Sequence, residues 1–455
     1  MAAPRKKTRD MTQGTIWKPL LAFALPLLIG NLFQQLYNTV DSVVVGQYVS
    51  KQALAAVGST GNIINMLVGL CNGLSVGAGV VISQRYGAKD YERLHEAVHT
   101  TLSVTFVLGL IATVAGISIV TPMLKMMETP PDVFDEAKNY LTIYFSGISG
   151  LLLYNMGAGI LRAVGDSRRP LYFLAFSAGL NIVGDLLFVL VFDMGVAGVA
   201  LATIIAQFCS AALVLYVLTR TKEPYGVKWS ALHIQWNMLQ KILAVGMPSG
   251  IQQAVTSFSN VFVQSYINAF DTACMAGWTS YNKLDAFLLI PVQSIAMAST
   301  TFVGQNYGAK KPERAKEGVK KSLHLSVIIT AALAVLMILC KRPLLRLISP
   351  EADVLEFGAY FVSVISPFYI LICFNQIYAG ALRGVGNAKI PMVVMLFCFV
   401  FFRQTYLYLA HLYFGQSLLL TALAYPAGWV LCSLLLAICY RRCILFKKET
   451  EISCI

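Results

Sequence analysis

The feature that most limits this chain is a succession of long apolar runs with almost no charge inside them. Twelve runs of about 20–28 residues can be traced, centred near Leu28, Leu67, Leu110, Ser146, Leu180, Ile205, Gln252, Leu288, Thr330, Pro367, Phe401 and Leu431; about 20 residues suffice to cross the hydrocarbon of a bilayer. In lipid every backbone N–H and C=O must find its partner within the chain, and for runs this long the helix is the economical answer. Of the 455 residues, 57% are hydrophobic and only 13% charged, too apolar for a soluble core. The expected fold class is therefore an all-α polytopic membrane protein with twelve transmembrane helices. No segment between the runs is long enough to fold as a separate soluble domain.

A net charge of +13 would suit a nucleic-acid binder, but its placement argues against one. With the N-terminus in the cytoplasm, basic residues collect on that side, in Arg5–Arg9, Arg85–Arg93, Arg162–Arg169, Arg220–Lys241, Lys310–Lys321, Arg383–Lys389 and Arg441–Lys448. The opposite loops hold few: Lys51, Lys125, Lys138, Lys341, Arg342 and Arg346. This is the positive-inside bias; it sets both termini in the cytoplasm and makes the bilayer, not nucleic acid, the partner. The basic N-terminus imitates a secretory leader, but its apolar segment is too long and no small-residue cleavage site follows. The ten cysteines form no CxxC pair and mostly lie within the runs, so free thiols are expected, with no disulfide or zinc framework.

The chain repeats itself. Gln84-Arg85-Tyr86-Gly87-Ala88-Lys89 returns as Gln305-Asn306-Tyr307-Gly308-Ala309-Lys310, and Gly159-Ile160-Leu161-Arg162-Ala163-Val164-Gly165-Asp166, followed by Pro170, returns as Gly380-Ala381-Leu382-Arg383-Gly384-Val385-Gly386-Asn387, followed by Pro391. Both pairs are offset by 221 residues, and Pro26 and Pro248 by 222, a near-constant register over half the chain. Six spans per copy is an even number, so the two lobes share one orientation, a parallel repeat about an axis along the membrane normal. The expected division is a cytoplasmic tail at 1–14, a first lobe at 15–220, a linker at 221–236, a second lobe at 237–441 and a tail at 442–455. Pro26 and Pro248 should kink their helices and serve as hinges. Gly69, Gly73 and Gly77, every fourth residue of the second run, offer a small-residue face for close helix approach.

His95-Glu96-Ala97-Val98-His99 fits the HExxH pattern of zinc peptidases. The repeat supplies a control: the corresponding positions are Lys316, Glu317 and Lys320, whose ammonium groups cannot bind metal. No third ligand follows either, and a basic helix entrance is the preferred reading. Enzymatic activity is not expected, and no cofactor is implied.

The candidate functional residues lie inside the spans. The run Trp17–Tyr48 carries one charge, Asp41, and an ionised Asp at mid-membrane costs roughly 2.5–3.5 kcal/mol unless it faces a cavity or partner. Asn31, Gln34, Tyr37, Asn38 and Asp41 fall on one helical face, a polar stripe in an apolar helix. In the fifth span Asn181 and Asp185 are i, i+4, and in the sixth Thr203 adds a hydroxyl. At 1.5 Å per residue, Asp41, Asp185 and Thr203 all lie about 12–15 Å in from the outer boundary. Two carboxylates, an amide and a hydroxyl at matching depth favour a functional site. In the second lobe Val263 replaces Asp41 and Tyr406 replaces Asp185. That lobe's own intramembrane charges are Lys283, Asp285 and Arg403, read either as cross-helix pairs or as substrate-facing groups; Lys283 and Asp285, at i, i+2, point to different faces.

On these residues the chain resembles the multidrug and toxic compound extrusion (MATE) family. The resemblance covers nearly the whole length: two six-helix lobes, the repeated Gln-x-Tyr-Gly-Ala-Lys loops and the repeated Arg-x-Val-Gly-(Asp/Asn) loops ending in Pro. It is closest to the prokaryotic branch whose coupling carboxylates lie in the first lobe, and Asp41, Asn181, Asp185 and Thr203 match that branch's cation site position by position. The resemblance implies a monomer of a prokaryotic cell membrane that exports amphipathic, often cationic organic compounds in exchange for H⁺ or Na⁺. Asp41, Asn181, Asp185 and Thr203 could then form a Na⁺ shell or simply hold a proton, with no other metal. Gln34, Tyr37, Asn38, Lys283, Asp285 and Arg403 would line the substrate pathway. Val263 departs from branches that carry an acid in the seventh span. The nearest alternative is a lipid-linked oligosaccharide flippase of the wider superfamily, which would line its cavity with basic residues for a pyrophosphate.

Overall fold

The computed structural model describes residues 10–49, 51–126 and 129–443, and side chains there except at 42, 51–63, 65, 66, 132, 258 and 261. Arg5–Arg9, most of the two expected tails, and the side chain of Lys51 lie outside the described residues. Twelve long rods follow one another: α1 (Trp17–Tyr48), α2 (Lys51–Gly87), α3 (Tyr91–Met126), α4 (Pro131–Ser146 and Ile148–Ala163), α5 (Arg168–Val191), α6 (Gly195–Arg220), α7 (Trp236–Ile267), α8 (Thr272–Gly308), α9 (Pro312–Leu339), α10 (Ala352–Gly384), α11 (Lys389–Phe414) and α12 (Leu418–Arg441). Among the described residues there is no strand.

Ten of these helices are long and apolar enough to cross a membrane, and α4, bent by 45° at Gly147, makes an eleventh as one broken span. The remaining rod, α7, carries Gln252, Gln253, Thr256, Ser257, Ser259, Asn260 and Gln264, which dilute its apolar character. The surface is that of a lipid-embedded protein: Leu110, Ile111 and Val114 of α3 and Val393 and Phe401 of α11 are more than half exposed. In water such an apolar belt would drive association.

The chain forms two compact units, one of Leu25–Gly250 and one of Met11–Ala24 with the residues from Ile251 onward. These limits differ from the expected 15–220 and 237–441 in an instructive way. The leading part of α1 belongs to the second unit and the leading part of α7 to the first, and the partition falls two residues from Pro26 and two from Pro248. Both prolines sit inside unbroken helices, where each removes a backbone donor without ending the helix.

In the first unit α2 crosses α7 at glycines. A Cβ on Gly73 would collide with the backbone of Gly250, and one on Gly77 with the backbones of Ile242 and Gly246. Pro248 lies between the two α7 glycines. One core of this unit gathers Ile82, Leu94, Leu102, Ile160 and Leu161, and the linker residues Tyr225 and Val227 are buried in it.

The repeated loops have a geometric reason. Lys89 and Lys310 both adopt left-handed backbone, with φ of 56° and 54°. Each closes the same turn: Ala88 N–H to Gln84 O and Lys89 N–H to Tyr86 O in the first copy, Ala309 to Gln305 and Lys310 to Tyr307 in the second. Gly165 and Gly386 have φ of 88° and 97°, open to glycine at little cost. The residue after each caps the following helix. Asp166 Oδ1 accepts from the backbone of Arg168 and Arg169, both at 3.1 Å, and Asn387 Oδ1 accepts from Ile390 at 3.3 Å.

Candidate functional site

The first unit brings Asp41, Asn181, Asp185 and Thr203 together. All four are buried, at 8%, 2%, 0% and 7% exposure, so whatever satisfies the two acids must come from inside the protein. Asp41 near the outer end of α1 and Asp185 of α5 meet side chain to side chain. One turn from Asp185, Asn181 Nδ2 donates to Thr203 Oγ1 of α6 at 3.4 Å, and that hydroxyl donates to Val199 O at 3.0 Å. Val44 and Val45, one turn on from Asp41 in α1, pack with Val189 of α5 and Val196 and Val199 of α6 in an apolar cluster. Immediately after Asp185, residues Leu187–Val191 form a π-turn, the irregularity that recurs at functional positions in helices.

Among the described residues no donor reaches either oxygen of Asp185 or Oδ1 of Asp41, and neither acid has an ion-pair partner. Two buried carboxylates without donors repel each other and lack the hydration that made them charged. Such a pair is held together by a shared proton or by a bound cation. Asn181 Oδ1, also without a donor, is a third acceptor beside them.

A small, partly open cavity of about 30 Å³ adjoins this group and is lined largely by neutral polar side chains, among them Gln34, Tyr37, Asn155, Asn181, Thr203 and Gln207. Asn181 and Thr203 therefore belong both to the acid group and to the cavity wall. Of the stripe on α1, Gln34 and Tyr37 face this cavity, whereas Asn38 is exposed and is not part of its lining. The substrate-pathway expectation for Asn38 gains no support from the cavity, because its position turns it to the surface.

Sequence reasoning missed the tyrosines of α4. Tyr140 lies within electrostatic reach of Asp41, Asp185 and Tyr37, and stacks on Tyr144 at 6.3 Å between ring centroids. Tyr140 and Tyr144 are i, i+4 on a polar-interrupted apolar helix, which was the available signal.

In the second unit, of the two readings for Lys283, Asp285 and Arg403, the structure bears on the pairing. They do not pair with one another. Lys283 is exposed, while Asp285 on the neighbouring face accepts a short hydrogen bond from Tyr369, whose hydroxyl also meets that of Tyr281 at 2.8 Å. Arg403, only 2% exposed, donates from Nη2 to Ser259 Oγ at 2.8 Å and to Asn260 Oδ1 at 2.9 Å, and its guanidinium lies 4.7 Å from the ring centroid of Tyr425. Ser259 and Asn260 correspond by the repeat to Tyr37 and Asn38. Where the first unit keeps an acid on α1, the second has Val263 in an apolar contact with Leu407 and Ala424. It meets its α7–α11 polar contact with a cation of its own, next to a π-turn at Phe397–Phe402.

A polytopic all-α membrane protein built from a duplicated six-helix unit, with buried acids beside a polar cavity in one copy, has the architecture of a transporter. The chain belongs to the MatE family, whose pattern matches residues 26–187 and again residues 248–409. The two matches begin at Pro26 and Pro248, the positions that define the repeat. Curated relatives include "Probable multidrug resistance protein YoeA" of Bacillus subtilis, 28% identical over 451 residues and covering 97% of each chain. Another is "Probable multidrug resistance protein YpnP" of the same organism, 28% identical over 412 residues, 90% of this chain and 92% of the relative. Among solved structures, an outward-facing conformation of a multidrug resistance MATE family transporter of the MOP superfamily matches with a TM-score of 0.92 and 22% identity, covering 98% of this chain and 100% of the other. The fold is thus the MATE fold, and the chain is a multi-pass membrane transporter of that family.

Proposed function

We propose that this protein is a secondary active multidrug efflux antiporter that exports amphipathic, cationic organic compounds in exchange for H⁺ or Na⁺. The observation that carries the reading is the Asp41–Asp185 pair, buried side chain to side chain, with three of its four carboxylate oxygens lacking any other donor and with no basic partner among the described residues. The relatives' designation as multidrug resistance proteins supports export of drugs, and the neutral cavity beside the acids suits an apolar cation better than an anion.

The mechanism is competition. With the acids unneutralised, the first lobe attracts a cationic compound into the cavity bounded by Gln34, Tyr37, Asn181 and Thr203. A proton or Na⁺ entering from outside neutralises the pair, with Asn181 and Thr203 completing the oxygen shell for Na⁺. The cavity then loses its attraction for the cargo, and the lobes rearrange at Pro26 and Pro248. No cofactor beyond the coupling ion is needed. The protein acts as a monomer in a prokaryotic plasma membrane with both termini in the cytoplasm.

Efflux of a fluorescent organic cation from proteoliposomes under a pH gradient or a Na⁺ gradient, imposed separately, tests this. One gradient should drive efflux in the unaltered protein, and Asp41→Asn and Asp185→Asn should each abolish it. Normal transport by both variants would remove the basis of the reading. Failure of both gradients, with binding of a lipid-linked pyrophosphate instead, would favour a flippase.

A further inference from the structure

The second histidine of His95-Glu96-Ala97-Val98-His99 has a role that metal binding does not supply. His99 of α3 is fully buried. Its Nδ1 is 2.8 Å from the carbonyl oxygen of His95, and its Nε2 is 3.0 Å from the backbone nitrogen of Lys228 in the linker. A carbonyl only accepts, so Nδ1 carries the hydrogen; the Lys228 N–H only donates, so Nε2 presents its lone pair. Together the two bonds fix a neutral ring in one tautomer. The next residue repeats the connection, Thr100 Oγ1 accepting from the backbone of Gln235 at 3.1 Å where the linker runs into α7. Two adjacent α3 residues thus hold the linker at both ends of its last stretch.

We propose that His99 is a proton-operated clasp on the linker between the two repeats. A proton on Nε2 converts the acceptor into a donor that faces the Lys228 N–H. The bond is lost, and a charge is created where nothing hydrates it. The charged and titratable groups nearby add to this. His95 stacks on the ring at 3.8 Å between ring centroids and is itself within electrostatic reach of Lys228 and His233 of the linker, while Lys241 of α7 lies within reach of Arg85 and Arg93. Glu96 is the acid among them, and it is shared between His95 and Lys241. The clasped state needs the unprotonated ring and the released ring takes up a proton. Acid therefore favours release, and the clasp reforms as pH rises. On the face that the basic residues assign to the cytoplasm, the clasp reads internal pH.

Two comparisons within the molecule set His99 apart. His233 Nδ1 lies 2.8 Å from Ala231 O, where it donates, so protonation leaves that bond intact. In the second unit the segment leading into α1 is held by a lysine and an arginine that only donate. Lys311 donates to Thr12 O at 2.9 Å, and Arg314 donates to the carbonyls of Gln13 at 2.9 Å and Gly14 at 2.7 Å. The residue corresponding to His99 there is Lys320, which is exposed.

The test is amide hydrogen exchange of the full-length protein in nanodiscs at about pH 7.5 and about pH 5.5, with each peptide referred to its own intrinsic exchange rate. One proton taken up on release changes the clasped-to-released ratio by at most about tenfold per pH unit. The linker peptide 221–236 should lose protection several-fold at the lower pH, within that limit, while peptide 11–16 should not change. His99→Gln, which keeps an acceptor that does not titrate, should hold linker protection level between the two pH values, and His233→Gln should respond as the unaltered protein does. If linker protection is independent of pH in the unaltered protein, or falls in parallel with that of peptide 11–16, the proposal is overturned. An equal fall in His99→Gln would overturn it as well. The wild-type comparison of the two peptides stands even if the variant fails to fold.

Discussion

The glycine crossing of α2 on α7 gives the sharpest test of the packing. A Cβ built on Gly73 lands on the Cα and N of Gly250, well inside van der Waals contact and against backbone that no rotamer change can move. Gly73→Ala must therefore push the two helices apart, opening the neighbouring contacts of Gly77 with Gly246. Overpacking of this kind costs about 1–3 kcal/mol. That is roughly a fivefold to 150-fold loss in the folded-to-unfolded ratio. Gly179→Ala is the matched control, because nothing lies within 4 Å of a Cβ at that position. There the same substitution adds a better helix former and is worth up to about 1 kcal/mol in the opposite direction. Thermal unfolding of the two purified variants in one detergent should move to opposite sides of the unaltered protein, or at least separate clearly with Gly73→Ala the lower. Equal stability of the two variants would refute the close crossing.

Asp166→Ala should destabilise by about 1–3 kcal/mol, since it frees two N–H groups at the start of α5 and leaves the Arg169 guanidinium, 3.3 Å from Asp166 Oδ2, without its acid; denaturation with and without the substitution measures this. Arg403→Lys should lower the thermal midpoint although charge is kept, because an ammonium cannot reproduce a planar guanidinium stacked over Tyr425 and bonded to Ser259 and Asn260; an unchanged midpoint would argue against that geometry. Tyr369→Phe removes a hydroxyl donor from Asp285 and breaks the contact with Tyr281, so a loss of about 1–3 kcal/mol is expected in the same assay. Arg314→Gln should loosen the segment before α1, seen as faster amide exchange of peptide 11–16 at neutral pH with the linker peptide unaffected.

The two units show how a duplicated fold divides labour. Both copies keep the positive-φ loops at Lys89 and Lys310 and the glycines at 165 and 386, because the same turn imposes the same backbone geometry in each. The membrane-embedded contacts between the first and fifth helices of each copy have diverged instead. One presents carboxylates with open acceptor sites, and the other carries Arg403 with its own partners. Backbone needs are the same in every copy, whereas a charge in low dielectric is answered by its particular neighbours.

The sequence alone determined the class of molecule, its duplication and the acids. Apolar runs long enough to span lipid permit little but helices, a register of 221–222 residues over half the chain requires a repeat, and an Asp inside such a run has too high a cost to be incidental. Helical spacing and depth likewise grouped Asp41 with Asn181, Asp185 and Thr203. Tertiary structure decided what spacing along one helix cannot express. It put Tyr140 and Tyr144 of α4 near the acids and left Asn38 exposed, off the cavity wall. It gave Asp285 the Tyr369 hydroxyl and Arg403 the side chains of Ser259 and Asn260 in place of each other, and moved the unit boundaries into α1 and α7 beside their prolines. It also gave His99 of a misleading HExxH a backbone N–H from a residue 129 positions away. One-dimensional periodicity reports which residues share a helix face. The groups opposite that face come from other helices, and only packing brings them there.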